Sequence, residues 1–304
     1  MSLDLHQLRT FCVVAEEENL SRAAERLYLS APSVSAHIKA LEEELGVALF
    51  SRSPRGMTLT TAGAELWDEA NKVLQSVNAL CRKASELSGG GQGVLRIGLN
   101  NPPELLRMDK LIMALASEFP ALRFECRVDT SRENLQRIRR DEIDIGFFES
   151  DTPQLDLTTR CLGTHRILLI GPREWEDRLQ GVSPVQLQEF PWVFVDDGCS
   201  LYQFAHRWSR EHGFVIEPRI QSYCDDRTAI TYAASGLGLT IVSEESLRRS
   251  GYRDEIIILP QISGELPLYL GCLKSRESDT LVGAALREAE RIWENISLSS
   301  AVTA

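Results

Sequence analysis

Residues 8–52 read LRTFCVVAEEENLSRAAERLYLSAPSVSAHIKALEEELGVALFSR, and the spacing of apolar residues in this run decides how the chain begins to fold. Leu5, Leu8, Phe11, Val14 and Ala15 recur at helical intervals, which predicts an amphipathic helix with one buried face. A second, shorter helix follows. Asn19 is suited to cap it, and Leu20, Ala23, Ala24 and Leu27 repeat at intervals of three and four, with alanines that let another helix approach closely. Tyr28 and Leu29 form the turn. Ser30 caps a third helix, Pro32 falls in its first turn where a missing N–H costs little, Val34, Ile38, Leu41 and Leu45 make its apolar stripe, and Gly46 ends it. Two helices set at an angle by so short a turn expose the start of the second, the geometry that places a recognition helix in a DNA major groove.

The outer face of the third helix carries Ser33, Ser35, His37 and Lys39. Past Gly46, Leu49 to Leu59 reads as two short strands around Pro54, Arg55 and Gly56, a hairpin wing with Arg52 and Arg55 placed to meet phosphates. The residues expected at DNA are Ser30, Ala31, Pro32, Ser33, Ser35, Ala36, His37, Lys39, Arg52 and Arg55. A helical triplet with a turn also occurs in bundles that never touch DNA, so the wing is needed to tell the two apart.

The runs 8–52 and GMTLTTAGAEL (56–66) resemble the LysR-type transcriptional regulators closely, and the rest of the chain resembles their effector domain more loosely, mainly through element order and ASGLGLTIV (234–242). In the family pattern S-Q-P-x-V-S-R the Gln and Arg commonly touch bases; here those positions are Ala31 and Ala36. The usual bidentate contacts are therefore absent, and discrimination is expected to lean on Ser33, Ser35, His37, thymine methyls against the alanines, and DNA shape.

Charge runs against a simple basic domain. The first 88 residues hold 9 Lys and Arg against 12 Asp and Glu, a net of −3, and the remainder carries −8 of the total −11. Binding then requires local segregation, with Glu42, Glu43 and Glu44 at the far end of the recognition helix and Arg52 and Arg55 near the DNA backbone.

Thr60 is placed to cap a long helix in which Leu66, Ala70, Val73, Val77, Leu80, Ala84 and Leu87 alternate steps of four and three. Such a heptad seam predicts a coiled-coil homodimer, and a two-fold axis predicts an imperfect inverted repeat in double-stranded DNA. SGGGQG (88–93) then marks a hinge.

From Val94 short strands alternate with helices: strands 94–99, 123–128 and 143–148 with helices near 104–119 and 132–140, then strands near 166–170, 192–195, 219–223, 239–242 and 266–273 with helices near 201–212 and 228–235. The pattern predicts an α/β effector domain of two lobes, like that of periplasmic binding proteins. The domains expected are a winged helix-turn-helix, 1–60, a linker helix, 61–88, a hinge, 89–93, and the effector domain, 94–304. Its first lobe spans about 94–162 and 266–304, its second about 163–265.

Ligands of such sheets sit at strand carboxyl ends against helix N-termini. That nominates Asn100, Asn101, Pro102, Thr130, Ser131, Arg132, Phe148 and Glu149 in the first lobe, and Asp197, Gly198, Cys199, Ser200, Asp226, Arg227 and Thr228 in the second. The family resemblance implies the same regions. For Ser131 and Thr228 a helix cap is the plainer reading. Helix N-termini with Arg132 or Arg227 favour a carboxylate, whereas Asp197, Asp226 and Glu149 favour an ammonium, so a carboxylate or an amino acid is the expected effector.

Seven scattered cysteines, an odd number without C-x-x-C spacing, predict no disulfide framework. Some LysR-type regulators sense peroxide with a cysteine where this chain has Cys199, but the resolving position nine residues later is Trp208, so Cys199 reads better as a small loop residue. The five histidines lack metal spacing, and there is no G-x-S-x-G elbow or Walker loop, so no catalytic residues, metal or cofactor are expected. An exported solute-binding protein would share the two lobes, but MSLDLHQLRT lacks a basic n-region and an apolar core. A cytosolic protein without membrane contact is expected, and the resemblance implies a homotetramer built from dimers.

Overall fold

Asp4 accepts the His6 N–H at 2.8 Å and starts α1 (Leu5–Glu17) in the computed structural model of the chain, which describes residues 3–53, 56–87, 93–194, 198–221 and 225–300. The chain divides into two units, Met1–Gly90 and Gly91–Ala304. In the first, Asn19 Oδ1 accepts from Ser21 and Arg22 N–H groups to open α2 (Leu20–Leu27), and the turn closes through Tyr28 in the left-handed region at φ 55°. Ser30 caps α3 (Ala31–Leu45), its Oγ accepting from Ser33 N–H at 3.2 Å, and Gly46, at φ 72°, ends it. The apolar faces of these helices meet in one core containing Phe11, Val14, Ala23, Val34, Ile38 and Leu41. Each large side chain buried there contributes about 1.5–3 kcal/mol.

The wing consists of β1 (Phe50–Ser53) and β2 (Gly56–Leu59), paired antiparallel from Phe50↔Leu59 to Ser53↔Gly56. Three contacts fix it to the helices. Glu42 Oε1 accepts from the Leu49 and Phe50 N–H groups, so this acid is a structural ligand of the wing rather than a free surface charge. Met57 N–H donates to Glu18 O at 2.8 Å, and a Cβ on Gly56 would lie 2.4 Å from that oxygen, which is why the position carries none. Thr60 Oγ1 accepts from Gly63 N–H and caps α4 (Thr61–Leu87); a Cβ on Gly63 would stand 2.1 Å from Leu49 O, so glycine lets the helix cross the strand.

The α4 stripe does not act as one seam. Ala70 is 4% exposed in the core of its own unit, with Leu66, Trp67 and Leu74 packed beside it, because the first half of the helix closes the open side of the three-helix unit. Val73 and Leu80 face outward at 42% and 70% exposure. A single heptad stripe is thus divided, packed within its own unit at Leu66 and Ala70 and exposed at Val73, Leu80 and Ala84. Leu87's side chain and the 88–92 part of the hinge lie outside the described residues.

The second unit contains β3 (Val94–Leu99), α5 (Met108–Glu118), β4 (Arg123–Val128), α6 (Ser131–Arg139), β5 (Ile145–Glu149), β6 (Leu157–Pro172), α7 (Glu176–Leu179), β7 (Trp192–Phe194), α8 (Ser200–Glu211), β8 (Pro218–Gln221), α9 (Asp226–Ala234), β9 (Thr240–Ser243), α10 (Glu244–Ser250), β10 (Ile256–Leu273) and α11 (Thr280–Ser300). One six-stranded sheet runs β4-β3-β5-β10-β6-β9, with β3 parallel to both β4 and β5 and the other pairs antiparallel. Strands β7 and β8 pair parallel beside it, joined through a Trp192↔Leu239 bridge.

The expected strands at 166–170 and 266–273 are the ends of two much longer ones. β6 and β10 pair from Leu273↔Leu157 to Ile256↔Pro172, with irregularities between Leu259 and Ser263 and between Leu268 and Tyr269, and they form the connection between two separate apolar cores. One core gathers Leu95, Ile97, Phe147, Leu268 and Leu270; the other gathers Trp192, Phe194, Leu239 and Ile241. Helix α5 starts at Met108 rather than Glu104 because the Pro102 and Pro103 carbonyls close turns through Leu105, Leu106 and Met108.

A buried ion cluster ties α11's approach to the sheet. Arg276, 8% exposed, donates to Asp141 at 3.0 Å, to Asp279 at 2.8 Å and to Asp144, whose other oxygen accepts Arg96 N–H at 2.6 Å.

Candidate functional site

The outer face of α3 is set by the inner one. With Val34, Ile38 and Leu41 buried, Pro32, Ala36 and Lys39 project into solvent and Ala31, Ser33, Ser35 and His37 flank them. Ser30 and Ser33 are joined hydroxyl to hydroxyl at 2.7 Å. Lys39 pairs with Glu43 at 3.6 Å, both exposed, an interaction weak enough for a phosphate to replace. His37 is anchored through Nδ1 to Thr10 Oγ1 at 2.9 Å. Arg55 and the Arg52 side chain lie outside the described residues.

In the second unit the carboxyl end of β5 and the N-termini of α6 and α8 converge on Glu149. Thr130 caps α6, its Oγ1 accepting Glu133 N–H at 3.2 Å. Ser131 is consequently spared capping, and its buried Oγ accepts from Glu149 N–H and Asn100 Nδ2, each at 3.1 Å. The Glu149 carboxylate, 8% exposed, takes Asn101 Nδ2 at 3.1 Å, His165 Nδ1 at 2.7 Å and the Ser200 hydroxyl at 2.5 Å. It therefore joins one sheet end to the crossing strand β6 and to the start of α8. Arg207 of α8 pairs with Asp151, just past β5, in a second link of the same kind.

Around these groups lies a cleft of about 310 Å³ lined by Ser131, Arg132, Arg139, Glu149, Ser200 and Arg207, together with hydroxyl, amide and a few apolar side chains. Several nominated residues stand elsewhere. Phe148 is fully buried on Tyr269, ring centroids 5.6 Å apart, because β5 is covered on both faces and its alternation turns this ring away from the cleft. Pro102 shapes the turn before α5. Thr228 is held by the α9 cap, its N–H and hydroxyl both donating to Asp225, and Arg227, exposed, is not among the cleft's lining residues. Gly198 is buried beside Cys199, and Asp197 and Cys224 lie outside the described residues. His165, Asp151 and Arg207 escaped the sequence reading: each sits inside or beside a long element with no local motif, and only strand β6's register brings His165 to Glu149.

The electrostatics of this cluster are one-sided. Burial and the nearby Glu149 raise Asp226 from 3.8 to about 6, against the Ser243 N–H that favours the charged form. Burial opposes the His165 imidazolium, but the Glu149 hydrogen bond and charge outweigh it and raise its pKa. Burial, with Asp226 and Glu149 nearby, pushes the Cys199 thiol up to about 12, the reverse of a reactive thiolate, so the structure argues against a redox role there. Among the described residues no cluster of His, Cys, Asp and Glu is arranged to hold a metal ion.

A pH dependence follows. Folded Asp226 titrates near 6 and unfolded near 3.8, so its stabilising share is complete below about pH 4 and lost as pH rises through 6; His165, also raised, loses its share at higher pH still. Asp226→Asn keeps an oxygen acceptor and removes the charge. It should leave stability unchanged near pH 4 and raise it by about 1–3 kcal/mol at pH 8, at about 1.4 kcal/mol per pKa unit, read by denaturant unfolding at the two pH values. An equal effect at both would contradict the assignment.

Two family models match the chain: "Bacterial regulatory helix-turn-helix protein, lysR family" over residues 5–64 and "LysR substrate binding domain" over residues 88–292. The chain is 32% identical over 280 residues to the HTH-type transcriptional regulator BbuR of Bordetella bronchiseptica, covering 92% of this chain and 86% of that one. It is 29% identical over 255 residues to the HTH-type transcriptional regulator ClcR of Pseudomonas putida, covering 80% and 83%. Among solved structures, a full-length BenM variant superposes with TM-score 0.53 at 21% identity, covering 97% of each chain. A Corynebacterium glutamicum OxyR variant gives 0.52 at 21%, covering 100% and 97%. These structures share the fold.

Proposed function

Because this chain belongs to the LysR family of bacterial transcriptional regulators, we propose that its hold on a promoter is set by a small polar molecule in the cleft around Glu149. It is a DNA-binding transcriptional regulator with a substrate-binding effector domain, and not an enzyme. It acts in the cytoplasm as a dimer, joined by the outward face of α4 around Val73 and Leu80, and dimers pair into a tetramer. Two copies of α3 then read the half-sites of an imperfect inverted repeat. No described helix is long and apolar enough to cross a membrane.

The observation that carries the cleft proposal is Glu149 itself, which accepts from His165 and Ser200 of one lobe and Asn101 of the other. A ligand that engages this carboxylate redistributes those bonds and shifts the lobes between arrangements, and the shift passes to the DNA-binding units through the linker. Glu149 inside, with Arg132, Arg139 and Arg207 along the cleft, matches a zwitterion with its ammonium inward and its carboxylate at the arginines. Calorimetry of the full chain against a panel of amino acids and simple carboxylates tests this. One amino acid should bind, and Glu149→Gln should weaken it at least about 10-fold, the loss of one charge-assisted contact. Silence across the panel, or equal binding by the variant, would contradict it.

A further inference from the structure

The hydrogen bonds behind α3 bear on which ring nitrogen of His37 carries the proton. Thr10, 1% exposed on α1, has a single hydroxyl hydrogen, and it is donated to His6 O at 2.8 Å, the bond a threonine inside a helix commonly makes to the carbonyl four residues earlier. The same oxygen lies 2.9 Å from His37 Nδ1. With that hydrogen directed to His6 O, Thr10 Oγ1 accepts from His37, an arrangement that puts the proton of the neutral ring on Nδ1. Nε2 is then a bare acceptor. The two ring nitrogens point to opposite sides of the imidazole, so anchoring Nδ1 inward turns Nε2 outward, and among the described residues no protein group meets it. His37 is half-buried on the flank of α3, next to exposed Ala36 and on the side where Ser33 also faces out.

We infer that His37 Nε2 is a hydrogen-bond acceptor in the major groove and selects an amino-bearing base, adenine or cytosine, over a keto-bearing one, guanine or thymine, on the strand it faces. Adenine N6 and cytosine N4 are the major-groove donors, while guanine O6 and N7 and thymine O4 are acceptors that a bare nitrogen repels. Thr10 acts as a positioning residue: buried away from the DNA, it fixes the polarity of the reader. With alanines at positions 31 and 36, few other side chains on this face discriminate by hydrogen bond, so the preference stands out in the operator. The inference rests on α3 docking in the groove.

The test is selection of duplexes with a randomised core by the full-length protein, followed by sequencing, for the parent and for His37→Ala, Thr10→Val and Thr10→Ser. The parent should enrich one position per half-site for adenine or cytosine about 5- to 10-fold, the lower range of what a single base contact discriminates. His37→Ala and Thr10→Val should flatten that position alone, and Thr10→Ser, which keeps the hydroxyl, should restore it. A purely structural role for Thr10 would instead weaken all sequences equally. A guanine or thymine preference lost in His37→Ala, or a profile unchanged by it, overturns the inference while leaving groove docking intact. Failure of the parent to enrich any sequence overturns both. Should Thr10→Val fail to fold, His37→Ala and Thr10→Ser decide alone.

Discussion

Arg276→Met should destabilise the second unit by about 3–5 kcal/mol, the cost of leaving buried carboxylates without their counter-charge. Asp141 and Asp144 are 7% and 3% exposed, and Arg276 Nη1 donates to both. Asp144 is committed further, accepting Arg96 N–H from β3, and Asp141 sits in the left-handed region at φ 58°, a conformation that its neighbours must hold. The arginine's own pKa is raised by these acids despite the burial that opposes its charge, so it stays ionised throughout. Thermal and denaturant melts of the full chain should show an early loss of the second unit. Adding Asp141→Asn and Asp144→Asn to Arg276→Met should recover a large part of the loss, because the triple variant buries no unpaired charge. A melt of Arg276→Met within 1 kcal/mol of the parent, a change ordinary for surface substitutions, would show that the cluster is dispensable.

Ala36→Glu should cost about 100-fold or more in DNA affinity while leaving the melt unchanged. Ala36 is exposed on the side of α3 opposite Val34, Ile38 and Leu41, and glutamate is a good helix former, so the folded protein has no reason to object. In the groove the same carboxylate would lie among phosphates and base acceptors, and like-charge juxtaposition at an interface costs several kcal/mol. In a dimer both half-sites are affected. Unchanged affinity would place this face of α3 away from nucleic acid.

The first unit was legible because its signals are local. Asn19, Ser30 and Gly46 stand at the helix ends that their chemistry predicts, and the three apolar stripes identify the shared core except at Leu5, which opens α1 and is 41% exposed. What a stripe cannot say is which partner covers it, and α4 shows the consequence, with Ala70 buried at home and Leu80 exposed on the same heptad register. In the second unit, β6 and β10 were read only in part, since Thr158, Thr159 and Arg160 interrupt one and Gln261, Ser263 and Gly264 the other; the pairing of two neighbours, rather than apolar alternation, keeps them extended. The cleft was found in outline by the strand-end rule. Its detail depended on contacts between distant segments: Thr130 taking the cap and releasing Ser131, Phe148 turned onto Tyr269, and His165 brought to Glu149 by register.

The most direct test of the central claim, that α3 docks in the major groove as one of a symmetric pair, is footprinting of the full chain on the region upstream of its own gene at low salt. Protection of two half-sites on one face of the duplex, about one helical turn or a multiple apart, and its disappearance with Ala36→Glu, is the predicted result. No protection at any concentration, or an Ala36→Glu footprint identical to the parent's, would contradict it.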